Sequence, residues 1–265
     1  SWPKPTHMPR RRRALGQHFL SNNIILDKEA AAADCAGKTV LEIGAGDGRL
    51  SGRLARGASA LYLIEKDHRF AEMLRENFAN TNSVAVIEGD FLTLRPFKVG
   101  LIVGNVPYGI SSDIIFRLIE WDFERAVLMF QKEFAMKLNS SGRDRRAISF
   151  FAQHHFEITP LFEARKAMFS PKPKVDSMLV ELRPKENTPM LDSGARAAAN
   201  ALFSQKNKSL RSSLSKIAAN HGIPKERLLG FCEGPSCSKR VFELENEEIA
   251  QLCKSLARII ENEKN

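Results

Sequence analysis

The sequence has few of the features that mark secreted, membrane-spanning or metal-binding proteins. It contains only 4 cysteines in 265 residues, with no paired framework among them, which argues for a reducing, cytosolic setting. No apolar leader is visible and no apolar run approaches the roughly 18–20 residues of a transmembrane helix. Cys232 and Cys237 have no second pair of ligands nearby at zinc-finger spacing. We therefore expect a cytoplasmic protein with no membrane association and no metal.

The glycine-rich turn of the chain also lacks one glycine. The segment Glu42–Gly48 reads EIGAGDG and follows an apolar run, but Arg49 stands where a dinucleotide fingerprint requires its third glycine. The turn therefore suits a ligand without a pyrophosphate better than NAD. The carboxypropyl tail of S-adenosylmethionine fits this description.

Positive charge and apolar residues are plentiful. The net charge is +9, which makes a polyanionic partner such as nucleic acid plausible, although such charge can also serve only to solvate a surface. Hydrophobic residues make up 43% of the chain, enough for one large packed domain and a small one. Residues 1–7 read poorly as native fold, so we take Met8 as the expected natural start.

Apolar runs alternate with helical patterns from Lys38 to Leu182. The expected strands are 39–43, 60–65, 84–88, 99–103, 126–130 and a late strand, 178–182, that closes the sheet edge; residues 70–78 are expected to form a helix. This alternation predicts an α/β, Rossmann-like domain with a parallel, doubly wound sheet. Its ligands are expected at the carboxyl ends of the strands.

A proline-containing segment divides the chain. Residues 184–192 contain two prolines among polar residues and are expected to form a linker. Beyond it, helical patterns cover 195–203, 210–220, 225–229 and 245–260, where apolar residues recur at helical spacing. We therefore predict an α/β domain at 8–183 and a small all-helical domain at 193–265.

Acidic residues follow the second and third strands, as a nucleoside cofactor requires. Glu65 ends the second strand about twenty residues after the glycine turn, where a carboxylate can hold both ribose hydroxyls. Asp90 follows the third strand and can accept a hydrogen bond from the adenine amine, with Phe91 near the ring. Together with Gly44 and Gly46, these residues predict an S-adenosylmethionine site.

The segment Asn105-Val106-Pro107-Tyr108 follows the fourth strand and suits methylation of an amino nitrogen. The N6 lone pair of adenine is delocalised into the ring, so the amine is a poor nucleophile. The Asn105 side-chain carbonyl and the Val106 backbone carbonyl can each accept one N6 hydrogen and expose the lone pair. Pro107 would stiffen the turn, and Tyr108 would stack on the base.

Basic residues beside an aromatic predict contact with RNA. Phe169 lies close to Lys172 and Lys174, an arrangement expected for a base flipped out near the active site. A second basic cluster contains Lys206, Lys208 and Arg211 at the start of a helical pattern. Arg10–Arg13 is a third cluster, which can be an RNA-binding arm or a solvated tail.

With these residues in view, the chain resembles the KsgA-type small-subunit ribosomal RNA adenine dimethyltransferases. The resemblance is carried by five motifs, LGQHFL at 15–20, EIGAG at 42–46, NVPY at 105–108, FQKE at 130–133 and FSPKPKVDS at 169–177. The segment KRVFEL at 239–244 is similar to the archaeal and eukaryotic branch.

The resemblance implies the fold, the activity and several site residues. His18 and Leu20 would contact the methionine portion of the cofactor, Gly44 would line its site, and Asn105 would touch both cofactor and target amine. The implied activity is transfer of two methyl groups to N6 of each of two adjacent adenosines near the 3′ end of small-subunit rRNA. A monomer acting on immature small subunits is expected. Such chemistry needs no protein nucleophile, because the methyl donor is an activated sulfonium.

Two other functions remain open from the sequence. A ribosome-assembly or nucleic-acid-binding factor could keep the fold without turnover, although Gly44, Glu65, Asp90, Asn105 and Tyr108 favour an enzyme. Methylation of a single adenine in large-subunit RNA is disfavoured by segment 169–177 and the basic cluster at 206–211. The sequence departs from the family at Asp113, where a proline is expected, and at 142–146, where the usual Tyr-x-Arg-Leu-Ser is missing.

Overall fold

The computed structural model describes residues 18–186, 188–232 and 234–262. The predicted start at Met8, the arm at Arg10–Arg13 and the first part of the LGQHFL motif lie outside these residues. The described chain divides into two compact units. The first contains residues 18–135 and 156–184, and the second contains 136–155 and the described residues from 185 onward.

Nine strands are present in the described residues. They are β1 Phe19–Leu20, β2 Thr39–Ile43, β3 Ala60–Glu65, β4 Val84–Glu88, β5 Val99–Asn105, β6 Phe123–Gln131, β7 Phe156–Ala164, β8 Phe169–Ser170 and β9 Ser177–Pro184. Ten α-helices accompany them in the same residues. They are α1 Asn23–Ala33, α2 Ser51–Leu54, α3 His68–Asn77, α4 Ser111–Leu118, α5 Lys132–Leu138, α6 Ala147–His155, α7 Ser193–Ser204, α8 Leu210–His221, α9 Lys225–Leu229 and α10 Asn246–Asn262. None of these helices is long and apolar enough to cross a membrane.

Seven strands of the first unit form one sheet in the order β4-β3-β2-β5-β6-β9-β7. The pairs among β4, β3, β2, β5 and β6 are parallel. The chain runs outward from β2 to β4 and then returns to β5 on the other side of β2, so the strand order reverses between β2 and β5. The doubly wound, parallel sheet predicted from the sequence is confirmed, and the reversal opens a ligand crevice at the carboxyl ends of these two strands.

The far end of the sheet differs from the prediction. β9 was expected at the edge, but it lies between β6 and β7 and pairs antiparallel with both. The edge strand is β7, to which the sequence analysis assigned no structure. Its Pro160 signals a break, yet proline is compatible with an edge strand, where its missing N–H needs no partner. The pairing with β9 shifts register between Pro160 and Phe162.

The second unit is helical, as predicted, and buries a continuous apolar face of α10. Ile249, Leu252 and Leu256 lie at helical spacing and are all buried, and α10 packs mainly on α7. Residues 136–155 belong to this unit rather than to the first domain proposed from the sequence. The cause is aromatic packing, because Phe150 on α6 is fully buried and stacks on Phe203 of α7.

The cysteines also differ from the expectation of an unpaired set. Cys232 and Cys237 are disulfide-bonded to each other, with Cα atoms 5.0 Å apart. The 3₁₀ turn at Gly234–Cys237 brings them together. Cys35 and Cys253 are free thiols.

Candidate active site

A cavity of about 590 Å³ lies at the carboxyl ends of β2, β3 and β5 in the first unit. This volume is typical of small-molecule sites. All residues that the sequence analysis assigned to the cofactor or the target base line the cavity, and they are His18, Leu20, Gly44, Gly46, Glu65, Asp90, Phe91, Asn105, Val106, Pro107, Tyr108 and Phe169. The fold therefore brings together residues that are up to 151 positions apart in the sequence.

The glycine turn after β2 forms the floor of the cavity. Gly44 and Gly46 have φ angles of 66° and 54°, a left-handed conformation that glycine adopts without steric cost. A Cβ atom on Gly46 would lie 2.3 Å from the ring of Phe19. The left-handed backbone therefore favours glycine at both positions, and at Gly46 the Phe19 ring also leaves no room for a side chain.

Glu65 fastens this turn to the end of β3. Its two carboxylate oxygens accept the backbone amides of Gly46 and Asp67, each at 2.8 Å. Burial raises the pKa of Glu65, and these amide hydrogen bonds offset part of that rise. The carboxyl group therefore has a structural role in the turn in addition to the ribose contact predicted from the sequence.

Asp90 and Phe91 lie beside the turn, after β4. Asp90 pairs with the Lys66 ammonium at 2.7 Å and accepts the Leu92 amide at 3.0 Å. Partial burial acts to raise the pKa of Asp90, but these two donors bring it below its usual value. Phe91 is buried and stacks on Trp121 at 5.0 Å. A carboxylate with four lone-pair positions can still accept the adenine amine.

The segment from Asn105 to Tyr108 forms the opposite wall. The Val106 N–H donates to Met129 O on β6 at 3.1 Å, which fixes the Asn105–Val106 peptide. Tyr108 stacks on His18, with ring centroids 5.7 Å apart, and its hydroxyl lies 2.7 Å from Ser177 Oγ. His18 Nδ1 lies 2.8 Å from the Pro171 carbonyl, which can only accept, so Nδ1 is the protonated nitrogen.

Two short strands hold the last residues of the LGQHFL motif against the first residues of the FSPKPKVDS motif. β1 pairs antiparallel with β8, so that Leu20 lies opposite Phe169. Phe169 is 5% exposed and lines the cavity with Leu20. Lys172 and Lys174 follow it in the chain and are exposed outside the cavity wall. This arrangement suits contact with the backbone of a bound RNA rather than with the reacting base.

The Asn105 side chain is held by a residue that the sequence analysis missed. Asn105 Nδ2 donates to Glu29 Oε2 at 3.3 Å. Within the described residues, Asn105 Oδ1 is buried and accepts no hydrogen bond. Glu29 is the middle residue of three, Leu26, Glu29 and Ala33, that recur at helical spacing and are buried on α1. This spacing is the sequence signal that could have identified it.

Two buried carboxyls near the cavity are predominantly protonated at neutral pH. Burial raises the pKa of Glu29 to about 8, offset in part by Asn105 and the charge of Arg53. Burial also raises the pKa of Glu42 to about 8; the Ser51 hydroxyl offsets part of the rise, and the carboxylates of Glu29, Asp47 and Glu65 add to it. The cavity wall is therefore less negative than its acidic residues suggest.

The basic residues predicted to bind RNA in the second unit differ in their surroundings. Lys208 and Arg211 are exposed. The Lys206 ammonium is instead engaged by the carbonyl oxygens of Arg143 and Arg145. Lys206 and Lys208 precede α8, which begins at Leu210 with Ser209 as its N-cap. Nearby Arg145 is buried, with its guanidinium on Leu244 O and Asn246, so it is a structural residue.

Comparison with known proteins assigns the chain to a protein family. The family model for ribosomal RNA adenine dimethylase matches residues 8–231. The chain belongs to this family. It is 34% identical over 243 residues to the probable ribosomal RNA small subunit methyltransferase A of Pyrococcus abyssi, covering 90% of this chain and 89% of that protein. It is 35% identical over 270 residues to ribosomal RNA small subunit methyltransferase A of Geobacter sulfurreducens, covering 93% and 95%.

Solved structures support the same assignment. A dimethyladenosine transferase from Plasmodium falciparum superposes with a TM-score of 0.77 at 29% identity, covering 88% of this chain and 95% of that one. The 23S rRNA methyltransferase ErmE gives 0.63 at 26% identity, covering 90% and 99%. The resemblance stated from the sequence motifs is confirmed, and the family's methyl donor is S-adenosylmethionine.

The cavity fits this cofactor on its own geometry. The turn at Gly44 and Gly46 admits a close ligand, and Glu65 provides a buried carboxyl beside it. Asp90 provides a second acceptor, and Phe91 an apolar surface. No group of three or more His, Cys, Asp or Glu residues in the described chain is arranged to hold a metal.

Proposed function

We propose that this protein transfers two methyl groups to N6 of each of two adjacent adenosines near the 3′ end of small-subunit ribosomal RNA. The observation that carries the proposal is that one cavity contains both the glycine turn for the cofactor and the Asn105–Tyr108 segment for an adenine amine. The names of the relatives from Pyrococcus abyssi and Geobacter sulfurreducens support the small subunit as the target.

In this proposal, Asn105 and Val106 prepare the target nitrogen. S-adenosylmethionine supplies an electrophilic methyl group on a sulfonium, so no protein nucleophile is needed. The buried Asn105 Oδ1, which has no partner among the described residues, accepts one N6 hydrogen. The Val106 carbonyl accepts the other, and Val106 is held on β6 through its own N–H, which donates to Met129 O. The N6 lone pair would then be localised to form the N–C bond while the bond from sulfur to the methyl carbon breaks, which leaves the thioether form of the cofactor and releases one N6 proton to solvent.

Aromatic residues position the base in the same cavity. Tyr108 lines the cavity and stacks on His18, with its hydroxyl hydrogen-bonded to Ser177. Phe169 supplies a buried apolar surface held by the β1–β8 pair. Stacking of this kind is worth ~1–3 kcal/mol per base. Exclusion of water by these rings strengthens the hydrogen bonds to N6.

The exposed basic residues support a substrate larger than a single nucleoside. The exposed Lys172 and Lys174 would contact RNA phosphates near the cavity, and Lys208 and Arg211 would contact them on the second unit. Such contacts position RNA without reading its bases. We propose immature small ribosomal subunits as the substrate, with the protein acting as a monomer in the cytoplasm.

Labelled methyl transfer with nucleotide mapping tests the proposal. Immature small subunits and deproteinised large-subunit RNA would each be incubated with the protein and methyl-labelled S-adenosylmethionine. We expect four methyl groups per small subunit, on two adjacent adenosines, and a much lower but measurable rate of transfer when Asn105→Ala replaces the parent. Label on a single large-subunit adenine would instead assign the chain the activity named for ErmE. Unlabelled RNA of both kinds would overturn the proposal.

A further inference from the structure

Glu29 is a buried acidic residue whose chemistry the proposed reaction does not yet use. It lies on α1 with no exposed surface, and within the described residues its side chain accepts one hydrogen bond, from Asn105 Nδ2 at 3.3 Å. Its other oxygen, Oε1, is buried and has no hydrogen-bond partner among the described residues. Burying a carboxyl group with one oxygen that makes no hydrogen bond destabilises a fold. Because Glu29 lowers the stability of the fold in this way, we looked for a contribution of its side chain to the reaction.

The charged groups around Glu29 do not explain it as an ion pair. Arg53 is the nearest cation that acts on it, but the Arg53 guanidinium is bonded to Asp27, Asn23 and Arg49 O. Glu42, an acidic neighbour whose pKa is raised in part by the charge of Glu29, is also buried. The pKa of about 8 leaves Glu29 mostly neutral at pH 7. A neutral carboxyl keeps a carbonyl oxygen, which accepts a hydrogen bond without adding a buried charge.

The amide of Asn105 has two ends of similar shape and opposite function. Only the oxygen can accept a hydrogen from N6 of adenine, whereas the NH₂ group would repel that amine. In the structure, the NH₂ end is bonded to Glu29 Oε2 and the oxygen end is left without a partner in the described chain. Asn105 itself lines the cavity.

We propose that Glu29 is a positioning residue for methyl transfer, which accepts the Nδ2 hydrogen of Asn105 and thereby keeps Oδ1 available to the target amine. The inference rests on the proposed function, in which Oδ1 prepares the nitrogen. Glu29 touches neither RNA nor cofactor in this scheme and acts through Asn105. Its removal should therefore lower kcat and leave both KM values unchanged.

A double-mutant cycle in the full-length protein tests this role. Glu29→Leu removes the acceptor at similar volume, and Glu29→Gln keeps an acceptor oxygen. We expect Glu29→Leu to lower kcat roughly tenfold, because loosened orientation of a reacting group costs on this order, and Glu29→Gln to remain within about twofold of the parent. In an Asn105→Ala background, Glu29→Leu should have no further effect. The control Leu61→Ala, a buried β3 residue away from the cavity, should lower stability without this kcat loss.

A second measurement does not depend on turnover. The side-chain NH₂ resonances of Asn105, assigned by their loss in Asn105→Ala, should be protected from hydrogen exchange in the parent and in Glu29→Gln. Protection should fall in Glu29→Leu, or in Glu29→Met if the leucine variant does not fold.

The outcomes separate this inference from the proposed function. Parental kcat in a folded Glu29→Leu protein, or an equal loss in both Asn105 backgrounds, would overturn the positioning role and leave the proposed function standing. Parental kcat in Asn105→Ala would instead remove the role of Asn105 in the proposed function, and the role of Glu29 with it.

Discussion

At the scale of single residues, the carboxyl and amide groups of the site make hydrogen bonds within the protein as well as those expected with the ligands. Glu65 illustrates this, because both of its oxygens already accept backbone amides in the glycine turn. A ribose contact would add to these bonds and would use remaining lone pairs of the same group. Glu65 therefore shapes the cofactor site and is also predicted to bind the cofactor.

Replacement of Glu65 should weaken cofactor binding for both reasons. We expect Glu65→Ala to weaken S-adenosylmethionine binding by at least tenfold, because a charge-assisted hydrogen bond contributes about 1.5–3 kcal/mol. Glu65→Gln, which keeps one acceptor oxygen, should fall between the parent and the alanine variant. Titration calorimetry measures both. Parental affinity in Glu65→Ala would show that the cofactor is held by other groups.

At the scale of elements, the turn between α7 and α8 shows how two neighbouring lysines acquire different roles. The sequence analysis grouped Lys206 and Lys208 as RNA contacts at a helix start. The structure places both before α8, with Lys208 exposed and Lys206 half-buried on the Arg143 and Arg145 carbonyls. Lys206 thus holds the 3₁₀ turn Gly142–Asp144 to the α7–α8 turn. The two lysines differ because only Lys206 lies within reach of these backbone carbonyls.

Single alanine variants should separate these two roles. Lys208→Ala should reduce the slope of log affinity for small subunits against log salt by about one, as expected for one lost phosphate contact, with unchanged stability. Lys206→Ala should lower the free energy of unfolding by about 1 kcal/mol and change the salt slope little. Affinity at several salt concentrations and urea unfolding measure the two effects. If the two variants behaved alike in both, the distinction drawn from the Lys206 contacts would be wrong.

At the scale of the whole molecule, the buried carboxyls Glu29 and Glu42 make stability depend on pH. Their pKa values are raised to about 8 in the fold, from an ordinary value of 4.5. Between these values the folded protein holds protons that the unfolded chain has released. Raising the pH through this window therefore favours unfolding. The loss of stability should begin above about pH 4.5 and be complete above about pH 8.

Removing the titrating groups should flatten this dependence. We expect the urea midpoint of the parent to fall more between pH 5 and pH 8 than that of Glu29→Gln combined with Glu42→Gln. Glu124→Gln is the matched control, because the Glu124 side chain is 69% exposed, and its profile should follow the parent. Superimposable profiles for the parent and the double variant would show that neither carboxyl carries a raised pKa in the fold.

Much of this architecture was predictable because it depends on local pattern. The strands at 39–43, 60–65 and 84–88 match the structure residue for residue, since short apolar runs bounded by turn residues are typical of strands in such a sheet. The site segments at Gly44, Glu65, Asp90 and Asn105 each end or follow such a strand. Carboxyl ends of parallel strands meet at one edge, so the sequence alone was enough to place these residues together.

The tertiary structure decided what depends on contacts between distant segments. The sequence analysis did not predict β7, because its proline is usually a sign that a strand ends. Residues 136–155 belong to the second unit because Phe150 stacks on Phe203 of α7. The pairing of Glu29 with Asn105 spans 76 positions, and a glutamate in a helix reads as solvent-exposed until its face is known. The sequence determined which chemical groups are available and in what order. The fold determined which of them are buried, paired or free, because these properties depend on neighbours that local pattern does not specify.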